Sequence, residues 1–366
     1  MKILFVARTY HDGDNYLIKN KDLFKDKNYH EVVIEICNFY SNWLGEFYLL
    51  LKNDKKINIE IIFPDLKNLM DEILDQENRR KYDEYYNFII HDFESDIAVF
   101  SGEYKYLYES IKKKNNQIAL WKSSKINLKG IKKIKEYFDI IISDNQIILD
   151  LAQKVSMKSF YLQPSVPERI IPNFNFNNRR SDLFFSGSLG FDFKKRKKII
   201  NYLLKKKINF ELRSRDITEG NKLKEFFFNK FRNFDFIYSQ RSIIKKMSKE
   251  PFFHLELFNY MKKFKYILNC HSDFDIDNTI NYRVYESLAC GSLLFTDQNK
   301  TLDKNFIDGK HLIVYKNNED LLNKIKYFKK NESESEEIAK KGYEFVKEEH
   351  TSEKRVIKFK KIFNIN

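Results

Sequence analysis

Arg283 and Glu286 stand three residues apart in the run from Asn281 to Asp297, NYRVYESLACGSLLFTD. On a helix that spacing puts a guanidinium and a carboxylate on one face. Ala289, Cys290 and Gly291 follow with almost no side-chain bulk, so the helix end can pack closely on a sheet. Ser292 to Thr296 then reads as a short strand, and Asp297 stands where it would end. Polar groups at a helix N-terminus beside the C-terminal ends of parallel strands are the usual seat of a phosphate-bearing ligand. A purely structural helix fits the local pattern equally well.

Two further stretches carry polar groups at strand ends. Ser186-Gly187-Ser188-Leu189-Gly190 follows an apolar strand and precedes a helix opening with Lys194-Lys195-Arg196. Backbone amides in such a loop can cradle a phosphate, with the cations supplying charge. It lacks the full GxGxxG spacing, and a tight turn with a solvated first helical turn is the plainer reading. Tyr266 to His271, YILNCH, is a strand that ends in Asn269 and His271, either able to contact a base, ribose or phosphate. Ser272 to Thr279 (SDFDIDNT) is an Asp-rich loop, either the mouth of a cleft or a surface connection.

The elements that must position these groups alternate strand and helix. Strands are expected at Lys2–Ala7, Ile57–Phe63, Asp96–Phe100, Gln117–Trp121, Phe138–Ser143 and Ser159–Leu162. Helices are expected over 31–52, 66–91 and 104–114, the first with Val32, Ile36, Phe39, Trp43 and Phe47 on one face. Residues 168–181 lack periodicity and read as a linker. A second set follows, with strands at Asp182–Phe185, Ile208–Arg213, Tyr266–Asn269, Ser292–Thr296 and His311–Tyr315. Its helices fall over 194–206, 221–231, 318–329, 333–349 and 350–363. This rhythm predicts an α/β chain of two doubly wound parallel domains, 1–167 and 182–349.

Hydrophobic content of 42% is ample for two cores, and the formal net charge is +14. That charge suits nucleic acid or an anionic membrane surface. A Lys-, Asn- and Ile-rich composition of the kind an AT-rich genome encodes accounts for most of it as solvated helix faces. Cys37, Cys270 and Cys290 are isolated among apolar residues, so neither a disulfide scaffold nor a zinc site is expected. The apolar start of MKILFVARTY is too short for a signal peptide, and no window approaches a membrane span. A cytoplasmic protein, peripheral at most to the inner face of the membrane, is the expectation.

Taken together, the second half resembles the sugar-nucleotide domain of GT-B glycosyltransferases of group 1, most closely the spore-maturation-protein (CgeB-like) glycosyltransferases. The resemblance rests on NYRVYESLACGSLLFTD, Phe306-Ile307-Asp308-Gly309-Lys310-His311, and Tyr315 with Asn318-Glu319-Asp320-Leu321-Leu322. It continues through Ile338-Ala339-Lys340-Lys341-Gly342 and His350-Thr351 with Arg355. YLQPSVP and DLFFSGSLG match the interdomain region, while the first half shares only the strand–helix rhythm.

The resemblance implies two Rossmann-like domains facing a cleft, with a nucleotide-diphosphate sugar held by the second. Glu286 would bind the ribose hydroxyls, since a carboxylate accepts two hydrogen bonds from a vicinal diol. Arg283 and its helix N-terminus would face the diphosphate, and Gly187 would approach the donor with its backbone. The donor-binding set is Gly187, Ser188, Arg196, Asn269, His271, Asn281, Arg283, Glu286 and Ser287. No metal or other cofactor is required, because cations and amides can do a divalent ion's work. The partners are the nucleotide sugar, a glycan or lipid-linked acceptor and an anionic membrane surface, with no nucleic acid.

Retaining relatives carry a second glutamate eight residues before the ribose ligand. Here Asn278 holds that place, with Asp275 and Asp277 nearby, which leaves retention or inversion open. Inversion needs a base from the first domain. The candidates are His11, Asp12 and Asp14 after the first strand and Glu103 after Phe100. Residues 350–366, with RVIKFKKIF, read as a closing helix that packs back on the first domain or docks at a membrane. A nucleotide-sugar epimerase on the same fold and a basic nucleic-acid-binding protein are the alternative functions.

Overall fold

The computed structural model describes residues 1–8, 17–39, 43–112, 117–124, 126–190, 193–214, 244, 247–271 and 279–365. They form two compact units, Met1–Glu168 with Thr351–Asn366, and Arg169–His350.

In the first unit, β1 (Lys2–Val6), β2 (Asn58–Ile62), β3 (Ile97–Phe100), β4 (Gln117–Trp121), β5 (Ile140–Ser143) and β6 (Lys158–Tyr161) build one sheet in the order β2-β1-β3-β4-β5-β6. Every described pairing in it is parallel. The strands IAVF and IIIS are buried residue by residue, as a sheet covered by helices on both faces requires. Those helices are α1 (Lys21–Phe24), α2 (Tyr29–Phe39), α3 (Trp43–Leu51), α4 (Lys67–Ile73), α5 (Gln76–His91), α6 (Lys105–Lys112), α7 (Leu128–Lys135) and α8 (Gln146–Lys154).

Of two long helices expected from periodicity, one is described in two stretches and the other is divided. The first is α2 and α3, with residues 40–42 outside the described set. The second breaks into α4 and α5 because Leu74 and Asp75 are extended, and the Asp75 carboxylate accepts from the Asn78 amide at 2.8 Å to cap α5. The helix Ser352–Ile362 completes this unit. Phe359 packs on Phe5 and Phe47 at 5.8 and 5.4 Å between ring centroids. The buried Arg355 donates through Nε to the Gln163 carbonyl at 3.0 Å, and Lys360 pairs with Asp54 at 2.8 Å.

In the second unit, β7 (Arg180–Ser186), β8 (Phe210–Arg213), β9 (Ser248–Lys249), β10 (Phe264–Leu268), β11 (Leu293–Asp297) and β12 (Ile313–Tyr315) form a sheet in the order β12-β11-β10-β7-β8-β9. Its described pairings are also parallel. Its helices include α9 (Lys194–Lys205), α10 (His254–Met261), α11 (Tyr282–Ala289), α12 (Lys300–Asn305), α13 (Asn318–Lys330) and α14 (Glu332–Glu349). The helix expected over 221–231 lies outside the described residues.

Strand order reverses where β7 neighbours β10, and likewise at β1 and β3 in the first unit. Loops leave such a point in opposite directions and open a crevice at the carboxyl ends of the strands. At the first of these crevices lies the chemistry-bearing run. Its helix α11 is followed, after the C-cap Cys290, by Gly291, whose φ of +71° is open to glycine at little cost. A Cβ there would also stand 2.9 Å from the Phe174 ring.

Candidate functional site

The carboxyl ends of β7 and β10 bring together most of the expected donor-binding residues. Arg196, in the first turn of α9, donates from Nε to the Cys270 carbonyl at 3.0 Å and from Nη1 to the Ser188 carbonyl at 3.3 Å. One guanidinium thus ties the loop after β7 to the loop after β10. Asn269 is 3% exposed and donates through Nδ2 to Thr296 Oγ1 at 2.9 Å, while the Tyr315 hydroxyl donates to its carbonyl at 3.0 Å.

Asn281 occupies the N-cap position of α11, yet its side chain does not cap that helix. Its Nδ2 donates instead to Asn269 Oδ1 at 3.1 Å and to the Cys270 carbonyl at 3.2 Å. An asparagine at N-cap ordinarily takes up first-turn amides. Diverting it leaves the positive end of α11 without a side-chain cap, at the switch point of the sheet, in the arrangement an anionic ligand uses.

Arg283 and Glu286 share one face of α11, as their spacing predicts, and pair at 2.6 Å between Nη1 and Oε2. Glu286 is 5% exposed; burial pushes its carboxyl up, and Arg283 beside it works in the other direction. Arg283 also reaches Met261 Sδ at 3.0 Å, and its buried Nε has no hydrogen-bond partner among the described residues. Behind it, burial and the Arg283 charge hold His254 down to about 4, so this imidazole is neutral at neutral pH.

His271 is 1% exposed, and both its backbone amide (2.9 Å) and its Nδ1 (2.7 Å) meet Asp297 Oδ1 at the end of β11. The other carboxylate oxygen takes Lys195 Nζ and lies 3.9 Å from Cys270 Sγ. Burial alone would raise the Asp297 carboxyl, but the hydrogen bond and charge of His271 and the Lys195 ammonium hold it well below the usual carboxylate range. Burial beside that carboxylate pushes the Cys270 thiol up to about 12, so it stays protonated. The sequence placed Asp297 at a strand end without a role. Its signal is in the pairing, because Leu268 opposite Phe295 puts Asp297 level with the chain just beyond β10.

Three of the expected donor-binding residues have hydrogen bonds within the unit. The Gly187 amide donates to the Arg213 carbonyl at 3.2 Å, which ties the loop to the neighbouring strand. Ser188 contributes its carbonyl to Arg196, an anchoring contact. Ser287 is fully buried and donates to the Arg283 carbonyl at 2.6 Å, a bond within its own helix that turns the hydroxyl away from solvent.

In the first unit Glu103 follows β3 beside the switch point, where the Arg8 amide donates to Ser101 Oγ at 2.8 Å. Its carboxylate is about half exposed and pairs with Lys122 at 2.8 Å. His11, Asp12 and Asp14 lie outside the described residues, as do Asn278, Asp275 and Asp277. Among the described residues no group of three or more His, Cys, Asp and Glu side chains is placed to hold a metal ion. No described helix is long and apolar enough to cross a membrane.

A cavity of about 480 Å³ opens at the ends of β11 and β12, with Lys195, Asp297, Tyr315 and Lys316 in its wall. Neither Glu286 nor His271 lines it, so it adjoins the α11 site rather than covering it.

Two parallel six-stranded sheets, each flanked by helices, give the chain the GT-B fold. A family model described as "Glycosyl transferase-like" matches residues 222–361, which include β10, α11, β11 and β12. The chain thus has the GT-B fold, and its C-terminal unit carries a glycosyl transferase-like signature over 222–361. No curated protein matches it. Among solved structures, it is similar to Anabaena HepE in complex with UDP and glucose, at TM-score 0.62 and 8% identity, covering 100% of this chain and 99% of that one. A glycosyltransferase from Rickettsia africae has TM-score 0.60 and 11% identity, with 99% and 97% covered. Sucrose-phosphate synthase from Thermosynechococcus elongatus has TM-score 0.59 and 8% identity, with 100% and 98% covered. At such identities the likeness is one of fold.

Proposed function

We propose that the protein transfers a sugar from a nucleotide-diphosphate sugar, held at the β7/β10 switch point, to a glycan, lipid-linked or other cell-surface acceptor. The carrying observation is the uncapped N-terminus of α11 with Arg196, His271 and the Arg283–Glu286 pair around it. The family match over 222–361, which takes in His271, Arg283 and Glu286, supports it. So do the UDP, glucose and UDP-glucose named for HepE, a protein of the same fold.

In this reading the donor's ribose lies against Glu286, and its diphosphate meets the α11 amides and the cations. Charge grows on the diphosphate as the sugar–oxygen bond breaks, and preorganised dipoles and cations at that position lower the barrier. Transfer then proceeds without a metal, with Arg196, Lys195 and the helix end neutralising the leaving group. The kinship with the spore-maturation group, the cytoplasmic setting and a peripheral contact with anionic membrane belong to the same proposal. An inverting transfer would draw the acceptor's base from the first unit, where Glu103 is the described candidate.

One nucleotide sugar in a panel of UDP-, GDP-, CMP- and dTDP-sugars should raise the melting temperature by several degrees. At a hundredfold excess over Kd, binding adds about 2.7 kcal/mol. A panel in which every member leaves the melting curve unchanged would count against the donor site.

A further inference from the structure

The chain has two tryptophans, Trp43 and Trp121, and the fold of the first unit sets them ring to ring, 4.5 Å between centroids. Trp121 ends β4, and Trp43 begins α3. Trp121 is 5% exposed and packs on Phe47 as well, yet its indole Nε1 is shielded from water and has no hydrogen-bond partner. Buried indoles ordinarily find an acceptor for that N–H. Trp43 stays partly exposed. A pair that served the core alone would gain nothing from an orphaned donor beneath a half-open ring.

Its place in the sheet shows what it can serve. Phe100 lies opposite Leu120, so Trp121 stands level with Ser101, at the carboxyl ends of the strands and next to the β1/β3 switch point. The end of β1 is tied to the same edge, since the Arg8 amide donates to Ser101 Oγ at 2.8 Å. One residue beyond Trp121, Lys122 pairs with Glu103 at 2.8 Å. An aromatic pair, an unpaired donor and a half-exposed carboxylate thus share the edge where doubly wound sheets take their ligands.

A ligand for this edge must offer a flat apolar face to the rings and an acceptor atom to the indole. A pyranose does both, because its C–H groups form an apolar face and its hydroxyls ring the margin. Glu103 can accept from a further hydroxyl. A polyprenyl chain would cover the rings but leave the indole hydrogen unpaired. Resting on the proposed transfer reading, we infer that the acceptor is a glycan whose terminal sugar stacks on Trp43 and accepts a hydrogen bond from Trp121 Nε1. Water does not reach that nitrogen, so the Trp43 ring, in contact with Trp121, shifts as the sugar seats. No covalent bond changes in this step.

With no other tryptophan in the chain, intrinsic emission reports this face alone. The full chain is titrated with methyl glucoside, galactoside, mannoside and N-acetylglucosaminide and with their disaccharides, each with and without UDP. The expected result is a saturable change in emission with at least one of them. Trp43→Ala, read from Trp121, should weaken that sugar about tenfold, or about 1.4 kcal/mol. Trp121→Phe keeps a ring without the donor and should weaken it severalfold, read from Trp43. The wild-type titration decides by itself if neither variant folds. No response to any sugar, while a nucleotide sugar still raises the melting temperature, overturns this inference and leaves the donor site standing. So does a response that survives unchanged in both variants, or one to geranyl phosphate and to no sugar, which gives the face to a lipid. If no nucleotide sugar raises the melting temperature, the transfer reading fails and this inference with it.

Discussion

Replacing Glu286 with alanine should weaken nucleotide-sugar binding by at least about a hundredfold and reduce transfer below detection. A carboxylate that accepts two ribose hydroxyls makes two charge-assisted hydrogen bonds, each about 1.5–3 kcal/mol. The loss does not stop at the ligand. Glu286 is buried and pairs with Arg283 at 2.6 Å, so removing it leaves a largely buried guanidinium without its carboxylate. Glu286→Gln separates the two effects, because the amide keeps the volume and one acceptor oxygen. Its affinity should fall between those of the wild type and Glu286→Ala, with a smaller drop in melting temperature. Equilibrium binding at fixed salt, read beside the melting curves, makes the distinction. Unchanged affinity in Glu286→Ala would remove the ribose role from this residue.

Gly342→Ala should destabilise the C-terminal unit by about 3 kcal/mol or more, although alanine is the better helix former. Propensity alone favours alanine by about 1 kcal/mol in the interior of α14. Packing opposes it, since a Cβ at this position would stand 2.2 Å from the His311 carbonyl oxygen and 2.9 Å from Leu288 Cδ2. A backbone carbonyl cannot swing aside as a side-chain tip does, so α14 must lift from α11 and from the chain before β12. Scanning calorimetry should show the transition of that unit lowered by roughly 6–12 °C. A rise in melting temperature would mean that propensity decides, and that α14 is not seated against His311 as described.

Much of this was legible in the residues. Parallel strands buried on both faces announce themselves as short apolar runs, which is why IAVF and IIIS were placed to within a residue or two. Helix breaks were not, because periodicity continues through Leu74–Asp75 and only the capping bond to Asn78 shows the interruption. Helices such as α7 and α8 were passed over. Each is only 8 or 9 residues long and starts at an asparagine cap rather than with a long apolar stripe.

In the site, Arg283 and Glu286 were found because their relation is local, three residues on one helix. The Asp297–His271 contact was not, because it joins residues 26 apart on neighbouring strands and requires the pairing order. For the same reason the sequence does not show that the Gly187 amide meets the Arg213 carbonyl of β8. Asn281 is a further case. It was placed in the donor-binding set, and its side-chain bridge to Asn269 and Cys270 is a non-local contact that the sequence does not show.

The central claim is that a nucleotide-diphosphate sugar binds at the ends of β7 and β10 around α11. Hydrogen exchange of the full chain, with and without the nucleotide sugar that stabilises it most, tests where that ligand sits. Slowed exchange should concentrate at 264–271 and 281–297, including the first-turn amides of α11, with a weaker effect at 186–196. Protection confined to the first unit, or to the cavity beside Lys316 with 281–289 unaffected, would contradict it.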